Sequence, residues 1–476
     1  MTTAFPTALD NFTNPTESSY QDTLSHAGQH SDINDAVEAL EAKVGITDSA
    51  DTNSLDYKSR STKSYRFPRK MGWLGDSIAR ISYNPSIPTG FKSWFNQGPA
   101  TWVRILSRQT VDITPDTLQA VNGATTGSII SGGYLDAVIA EGCDVCVVAV
   151  GINDAAGSVA ASTTQANYTT IVNSLIASGC SVILQPALPD SLLTSDQRNL
   201  MHTNNAFLRE MAYTTPGVTL SDPTPYYIDT SSATGAPATG ITYDGLHPAS
   251  MGAYLIGRTH WNTIQNLFPF FDSRFMDASD LYNATTNITG NLLANGLLEG
   301  TSGSKSGTSG TPTGDVATSW TAFTGNPAGT AACACTKVAQ TGGETGVWQQ
   351  FELSGTPANV GAYSLRQNIT TNYTPGDVVV TEAEFEIDSG FTNITGIMLT
   401  VFDAGSSNIG ARDGVITAGQ PLYTGDTIRG VLKSEPHTVG AASTVIQIDV
   451  SINFDAAAVA ATVRLGRISV RKVVSA

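Results

Sequence analysis

The sequence is short of charge, of cysteine and of basic residues, and each shortage narrows what the chain can be. Charged residues fill 14% of its 476 positions, against about 25% in an average soluble protein, so Ser, Thr, Asn and Gly must supply much of the polar surface. Lys and Arg number 25 against 41 Asp and Glu, a net charge of −16. With no basic run, the chain is not expected to grip nucleic acid or an anionic membrane. No apolar stretch approaches the roughly 18 residues of a membrane span; Val145–Val150 is among the strongest, and it is short. The opening ten residues, Met1 to Asp10, have neither a basic n-region nor an apolar h-region, so no secretory signal is expected. Five cysteines, an odd number in so long a chain, do not make a disulfide framework, and synthesis in a reducing cytoplasm is expected.

What is present suffices for packed cores: 41% hydrophobic residues, 45 Gly and 21 Pro. The length implies about three domains, and the texture divides at 1–65, 66–272 and 273–476. Residues 1–25 are rich in Thr, Asn, Ser and Pro without a sustained period and read as an extended arm. His30 to Gly45 reads as a helix, with Ser31 or Asp32 as cap and Lys43 and Gly45 at its end. Its stripe of Ile33, Val37, Leu40 and Val44 needs a covering surface, either the next domain or other chains.

Residues 66–270 alternate short apolar strands with helical patterns, the mark of a parallel α/β sheet. Strands are predicted at 71–75, 118–121, 144–150, 181–185 and 218–220, and helices at 168–178, 200–211 and 249–267. Five strands with intervening helices imply a flavodoxin-like three-layer sandwich. Beyond 272 the chain turns to Thr/Ser/Gly/Asn-rich segments with period-2 strands, among them 381–387, 445–452 and 463–470. That pattern predicts an all-β sandwich of jelly-roll type, with the tract Gly300–Gly314 as a flexible loop or linker.

Three segments carry chemistry. Gly75-Asp76-Ser77 ends the first strand, at the sheet edge where ligands sit in open parallel sheets. A Ser there presents its hydroxyl, with its own N–H free at the helix start to steady an oxyanion. Gly151-Ile152-Asn153-Asp154 follows the strand at 144–150, where Asn153 can aim its amide at the same charge. Asp244-Gly245-Leu246-His247-Pro248 precedes the last helix and offers an imidazole base with a carboxylate to fix its tautomer.

In this order and at these places the segments resemble the SGNH, or GDSL, family of esterases and lipases over roughly residues 66–270. The resemblance implies Ser77 as nucleophile, His247 as general base, Asp244 as its orienting partner, and Ser77 and Asn153 as oxyanion donors. It also implies a glycine donor after the second strand; Gly123 is preferred, with Gly127 as the rival. Ile78 replaces the commonest Leu after the nucleophile. No metal and no cofactor is implied.

The stretch from Phe5 to Phe12, with the helix from His30 to Lys43, resembles segments that anchor bacteriophage tail fibres, spikes and other appendages. It implies a location on the virion, contacts with other virion proteins and a homo-oligomer, most simply a trimer. The segment Asn291 to Glu299, with Trp320 beyond it, is similar to the start of carbohydrate-binding jelly rolls. Trp320, Trp348, Tyr363 and Tyr373 are then either sugar platforms or core. The combined expectation is a virion appendage whose esterase removes O-acetyl or similar short acyl esters from host surface polysaccharide. The alternative is an adhesive structural protein that binds glycan without turnover.

Other motifs are read as structural. Cys143 and Cys146 have redox spacing but enter a buried strand. Cys333 and Cys335 are expected on opposite faces of a strand, which disfavours pairing or metal binding. His26 and His30 share a helix face without a third ligand, and His202 and His260 fall on helices.

Overall fold

The protein is described here by a computed structural model covering residues 26–44, 68–84, 92–270, 276–325, 327–340, 344–404, 410–416 and 419–473. The chain divides into two compact units, Met1–Arg69 and Lys70–Ala476. In the first, the arm at 1–25 lies outside the described residues, and α1 runs His26–Val44. It starts earlier than its sequence pattern predicts, so Ser31 and Asp32 fall inside the helix rather than ahead of it. Ala27 and Gln29 are good helix formers, which extends the turn backwards. Ile33 and Leu40 are each 60% exposed.

The second unit opens with an α/β sheet. Its strands are β1 (Arg69–Gly75), β4 (Val111–Asp112), β5 (Leu118–Ala120), β6 (Val145–Ala149), β7 (Ser181–Leu184) and β8 (Val218–Leu220), and β2 (Tyr83–Asn84) and β3 (Lys92–Phe95) fall between the first two. Parallel pairing gives the order β5-β1-β6-β7-β8, the order of a flavodoxin-like sheet. β6 is apolar throughout because both its faces are covered. Val145 and Val147 pack with Trp73, Ile183 and Ile264 on one side. Cys146 and Val148 pack with Ile171, Leu175 and Leu208 on the other.

The helices in chain order are α2 (Ser77–Arg80), α3 (Pro99–Leu106), α4 (Thr126–Ser131), α5 (Tyr134–Ala140), α6 (Ile152–Ala156), α7 (Ala161–Ala177), α8 (Ser195–Thr214), α9 (Thr224–Tyr227) and α10 (Ser250–Leu267). The helix predicted at 168–178 begins at Ala161 because its first two turns are polar and give no apolar signal.

The C-terminal region is all β. Its strands are β9 (Ser302–Ser306), β10 (Thr313–Gly314), β11 (Val316–Thr324), β12 (Ala332–Ala339), β13 (Val347–Ser354), β14 (Gly361–Ile369) and β15 (Val378–Ile387), then β16 (Ile394–Ala404), β17 (Ala411–Val415), β18 (Ile428–Lys433), β19 (His437–Thr438), β20 (Val445–Phe454) and β21 (Ala461–Lys472). One sheet runs β10-β12-β13-β21-β15-β18, with β19 on β15, and the other β2-β3-β17-β16-β20-β14-β11-β9. The inward residues of both sheets join one core. The tract 300–314 is not a linker: β9 pairs with β11 and β10 with β12 as edge strands. Trp320 and Tyr363 lie in this core at 1% exposure or less, Tyr373 packs against it, and Trp348 is buried outside it, on the other face of β13 beside Arg429. Cys333 and Cys335 are both buried on the same face of β12. The expectation of opposite faces fails because side chains repeat every second residue along a strand.

The two regions are not separate beads. β3 pairs in parallel with β17, so a hairpin from the α/β region extends the eight-stranded sheet. All eight residues of α3 are buried, and Trp102, Ile105, Tyr254 and Ile256 share a core cluster with Ile397, Leu399, Leu422 and Ile428. Arg104 on α3 pairs with the buried Asp413 at 3.3 Å and stacks over Trp94 at 4.0 Å.

Candidate active site

The end of β1 turns directly into α2, and this sharp turn sets the position of Ser77. Asp76 caps α2 by accepting the Ile78 N–H at 2.9 Å, which leaves Ser77 as its first residue. Asp76 is fully enclosed. Burial pushes its carboxyl up to about 7, against the lowering effects of the Ile78 N–H and of His247.

His247 Nε2 lies 2.8 Å from Ser77 Oγ, across 170 residues of sequence. On the other side of the ring, Nδ1 lies 2.7 Å from Asp244 Oδ2. Asp244 Oδ1 accepts the backbone N–H groups of His247 at 2.7 Å and Leu246 at 3.0 Å. One carboxylate thus folds its own loop and orients the imidazole. Partial burial raises the Asp244 pKa, but the hydrogen bonds from the His247 ring and the two N–H groups outweigh it and leave the carboxyl below its ordinary value. An ionised carboxylate on Nδ1 leaves Nε2 as the acceptor for the Ser77 proton.

Gly123 borders the same cavity as Ser77 and His247. Its φ of +73° is one that a side chain would strain, and open space surrounds the position of a Cβ. Neither its N–H nor that of Ser77 meets an acceptor among the described residues. Gly127 instead sits in the first turn of α4, away from the cavity. Asn153 lies in the first turn of α6, and its Nδ2 donates to Ala124 O at 3.0 Å. It does not line the cavity; one of its two amide hydrogens braces the turn that carries Gly123. Gly151 before it has φ +121°, and a Cβ there would meet the Tyr168 hydroxyl oxygen at 2.1 Å.

Asp154 had no role in the sequence reading. It is buried, and its two oxygens accept the Thr126 N–H at 2.9 Å and the Thr126 hydroxyl at 2.6 Å. It therefore ties the start of α4 to α6 and holds the Gly123 turn against Asn153. Its place beside Asn153 in Gly151-Ile152-Asn153-Asp154 was the available signal.

The cavity over Ser77 has a volume of about 690 Å³. Tyr83 and Asn84 of β2 and Phe95 of β3 form one wall, so the hairpin shared with the C-terminal sheet shapes the site. The half-exposed Tyr243 also lines the cavity, its ring stacked on His247 at 5.8 Å.

His260 is fully buried, lies 2.7 Å from Gln185 Oε1 through Nε2, and is held neutral by burial, with its pKa lowered to about 3. His30 and His202 are exposed, and the side chain of His26 lies outside the described residues. Among the described residues no group of three His, Cys, Asp or Glu side chains is placed to hold a metal.

Residues 73–254 match the model of the GDSL-like Lipase/Acylhydrolase family. The chain carries a GDSL/SGNH acylhydrolase domain. Within that domain Gly75-Asp76-Ser77 and Asp244-Gly245-Leu246-His247 stand near the two ends of the match. A solved GDSL-like lipase from Bacteroides thetaiotaomicron is 13% identical, the similarity covering 44% of this chain and 96% of that one at TM-score 0.33. A carbohydrate esterase family 3 structure from Talaromyces cellulolyticus is 19% identical, covering 42% and 97% at TM-score 0.32. No curated protein matches the chain.

Proposed function

We propose that the chain is a serine esterase that removes O-acetyl or similar short acyl groups from a surface polysaccharide. The observation that carries this reading is the alignment of Ser77 Oγ, His247 Nε2 and Asp244 Oδ2 through contacts of 2.8 and 2.7 Å at the floor of an open cavity. The Ser77 hydroxyl attacks the ester carbonyl carbon while His247 Nε2 takes its proton. The N–H groups of Ser77 and Gly123 receive the oxyanion, and Asn153, set back from the cavity lining behind the Gly123 turn, would add its second amide hydrogen once the ester is bound. Collapse breaks the bond to the sugar oxygen, which leaves with the proton from His247. Water then attacks the acyl-Ser77 carbonyl, gives its proton to His247, and releases the carboxylic acid as Ser77 regains its hydrogen. No metal or organic cofactor takes part in this scheme.

The test is turnover of 4-nitrophenyl acetate by the full chain and by Ser77→Ala. The variant should keep its melting temperature and lose at least about a thousandfold in kcat/KM. Near-native turnover by Ser77→Ala overturns the mechanism, and a wild-type chain without turnover favours the adhesive reading.

The same proposal places the protein on a phage particle as an oligomeric appendage, a trimer by preference, attached through residues 1–65 to other virion proteins. Two features support it: the resemblance of the N-terminal segment, and the exposed Ile33 and Leu40 on α1. Ile33, Val37, Leu40 and Val44 are spaced four, three and four apart, as in a short coiled-coil seam. Deleting residues 1–58 should weaken self-association in analytical ultracentrifugation and leave esterase activity in place.

A further inference from the structure

Arg80 stands three residues after Ser77 on α2, on the same helix face, and both side chains border the cavity. One guanidinium N–H is spent on the carbonyl of Tyr83, and no ion pair engages the side chain among the described residues. The described lining of the cavity contains no carboxylate. In a chain with a net charge of −16, a guanidinium facing a cavity without an acidic partner among the described residues is a distinctive feature. The volume of about 690 Å³ is far more than an acetyl group fills. Tyr83, Phe95 and Tyr243 supply apolar ring surface around it, and Asn84 and Gln97 supply amides.

Resting on the esterase reading, we propose that the leaving-alcohol side of the site takes a sugar residue bearing a carboxylate, and that Arg80 binds that carboxylate. The planar fork of Arg matches a carboxylate by two parallel N–H···O bonds. Among the described residues the remaining N–H groups of Arg80 meet no acceptor. The aromatic walls suit the apolar face of a pyranose ring. Arg80 lies one helical turn from the nucleophile, so the anchored carboxylate belongs to the acylated sugar or its neighbour. The anchor acts mainly on which ester is presented to Ser77.

The experiment compares kcat/KM of the full chain on an O-acetylated methyl glucuronide and on the methyl glucoside acetylated at the same position, with 4-nitrophenyl acetate as the sugar-free reference. A charge-assisted pair of this kind predicts a preference of about 10–100-fold for the glucuronide at low salt, shrinking as ionic strength rises. Arg80→Gln should collapse that ratio by at least tenfold, and Arg80→Lys should restore part of it. Binding of unacetylated methyl glucuronide and methyl glucoside to Ser77→Ala, followed by calorimetry, should show the same preference without turnover. Equal rates on the two glycosides, or an Arg80→Gln variant that slows both alike, overturns the inference while turnover of 4-nitrophenyl acetate leaves the esterase reading standing. Absence of turnover on every ester overturns the esterase reading, and the binding measurement then decides the role of Arg80 by itself. A sulfated glycoside that binds as well as the glucuronide overturns the assignment to a carboxylate.

Discussion

The indole N–H of Trp94 donates to Glu435 Oε1 at 2.6 Å, joining the hairpin that walls the Ser77 cavity to a loop 341 residues further on. Next to it, Arg104 reaches Asp413 at 3.3 Å and Glu435 at 3.8 Å. Asp413 is buried, and burial raises its pKa against the pull of Arg104 and of two backbone N–H groups. These contacts make the C-terminal region part of the hydrolase rather than an appended module.

Arg104→Met should therefore be strongly destabilising. It leaves Asp413 and Glu435 without their shared cation, and stranding a buried charge costs about 3–5 kcal/mol. Denaturant titration at pH 7 measures it. The loss should shrink at low pH, where Asp413 takes up a proton.

Asp154 is a positioning residue, so its replacement tests whether the Gly123 turn must be held. Asp154→Asn keeps the volume and one acceptor for the Thr126 N–H but removes the charge and turns an N–H₂ toward the Thr126 hydroxyl, which must then accept instead of donate. We expect kcat on 4-nitrophenyl acetate to fall about 10–100-fold with a much smaller change in KM, measured well below the melting temperature. A purely structural role would lower the melting temperature and leave the kcat of the folded fraction unchanged.

Asp244→Asn removes the carboxylate that orients His247 and lets an amide impose the other tautomer. A loss of about a hundredfold or more in kcat/KM is expected with the fold intact. Circular dichroism and kinetics on the same preparation check both halves.

The buried Asp76 makes a signed pH prediction. Its folded pKa of about 7 lies above the ordinary 3.8. Between those values the unfolded chain has released a proton that the folded chain still holds. This group's contribution to stability is therefore fully present below about pH 4 and declines as pH rises to about 7. Asp76→Asn keeps an acceptor for the Ile78 N–H and has no proton to lose. Its stability relative to the parent should rise from pH 4 to 7 by roughly 1–4 kcal/mol and stay level above that. Calorimetric melting at pH 4.5, 6 and 8 provides the readout.

Ser77, Asn153, Asp244 and His247 stand out in the sequence because each sits in a short motif at a strand end or just ahead of a helix, and the structure brings Ser77, Asp244 and His247 into one hydrogen-bonded row with Asn153 behind the Gly123 turn. The α/β region was readable from its alternation of short apolar strands with helical patterns, of which β6 is the clearest strand. The hairpin of β2 and β3 was not. Two strands of two and four residues carry no periodicity, and their partner β17 lies far along the chain. Arg80 escaped notice because its meaning depends on the cavity wall built by that hairpin. The tract 300–314 misled through composition: its Gly and Ser residues occupy edge strands, where side-chain packing demands least.

The parallel pairing of β3 with β17 also sets a timetable. Lys92 must wait for Ala411, about 320 residues later, before that edge of the cavity is paired. At synthesis rates of about 5–20 residues per second, the interval is roughly 15–60 s. Throughout it the nascent α/β sheet carries an open hairpin edge and an uncovered α3. A ribosome that stalls inside the β region therefore leaves a sticky, partly walled intermediate, and the wall that narrows access to Ser77 is among the last parts of the molecule to be finished.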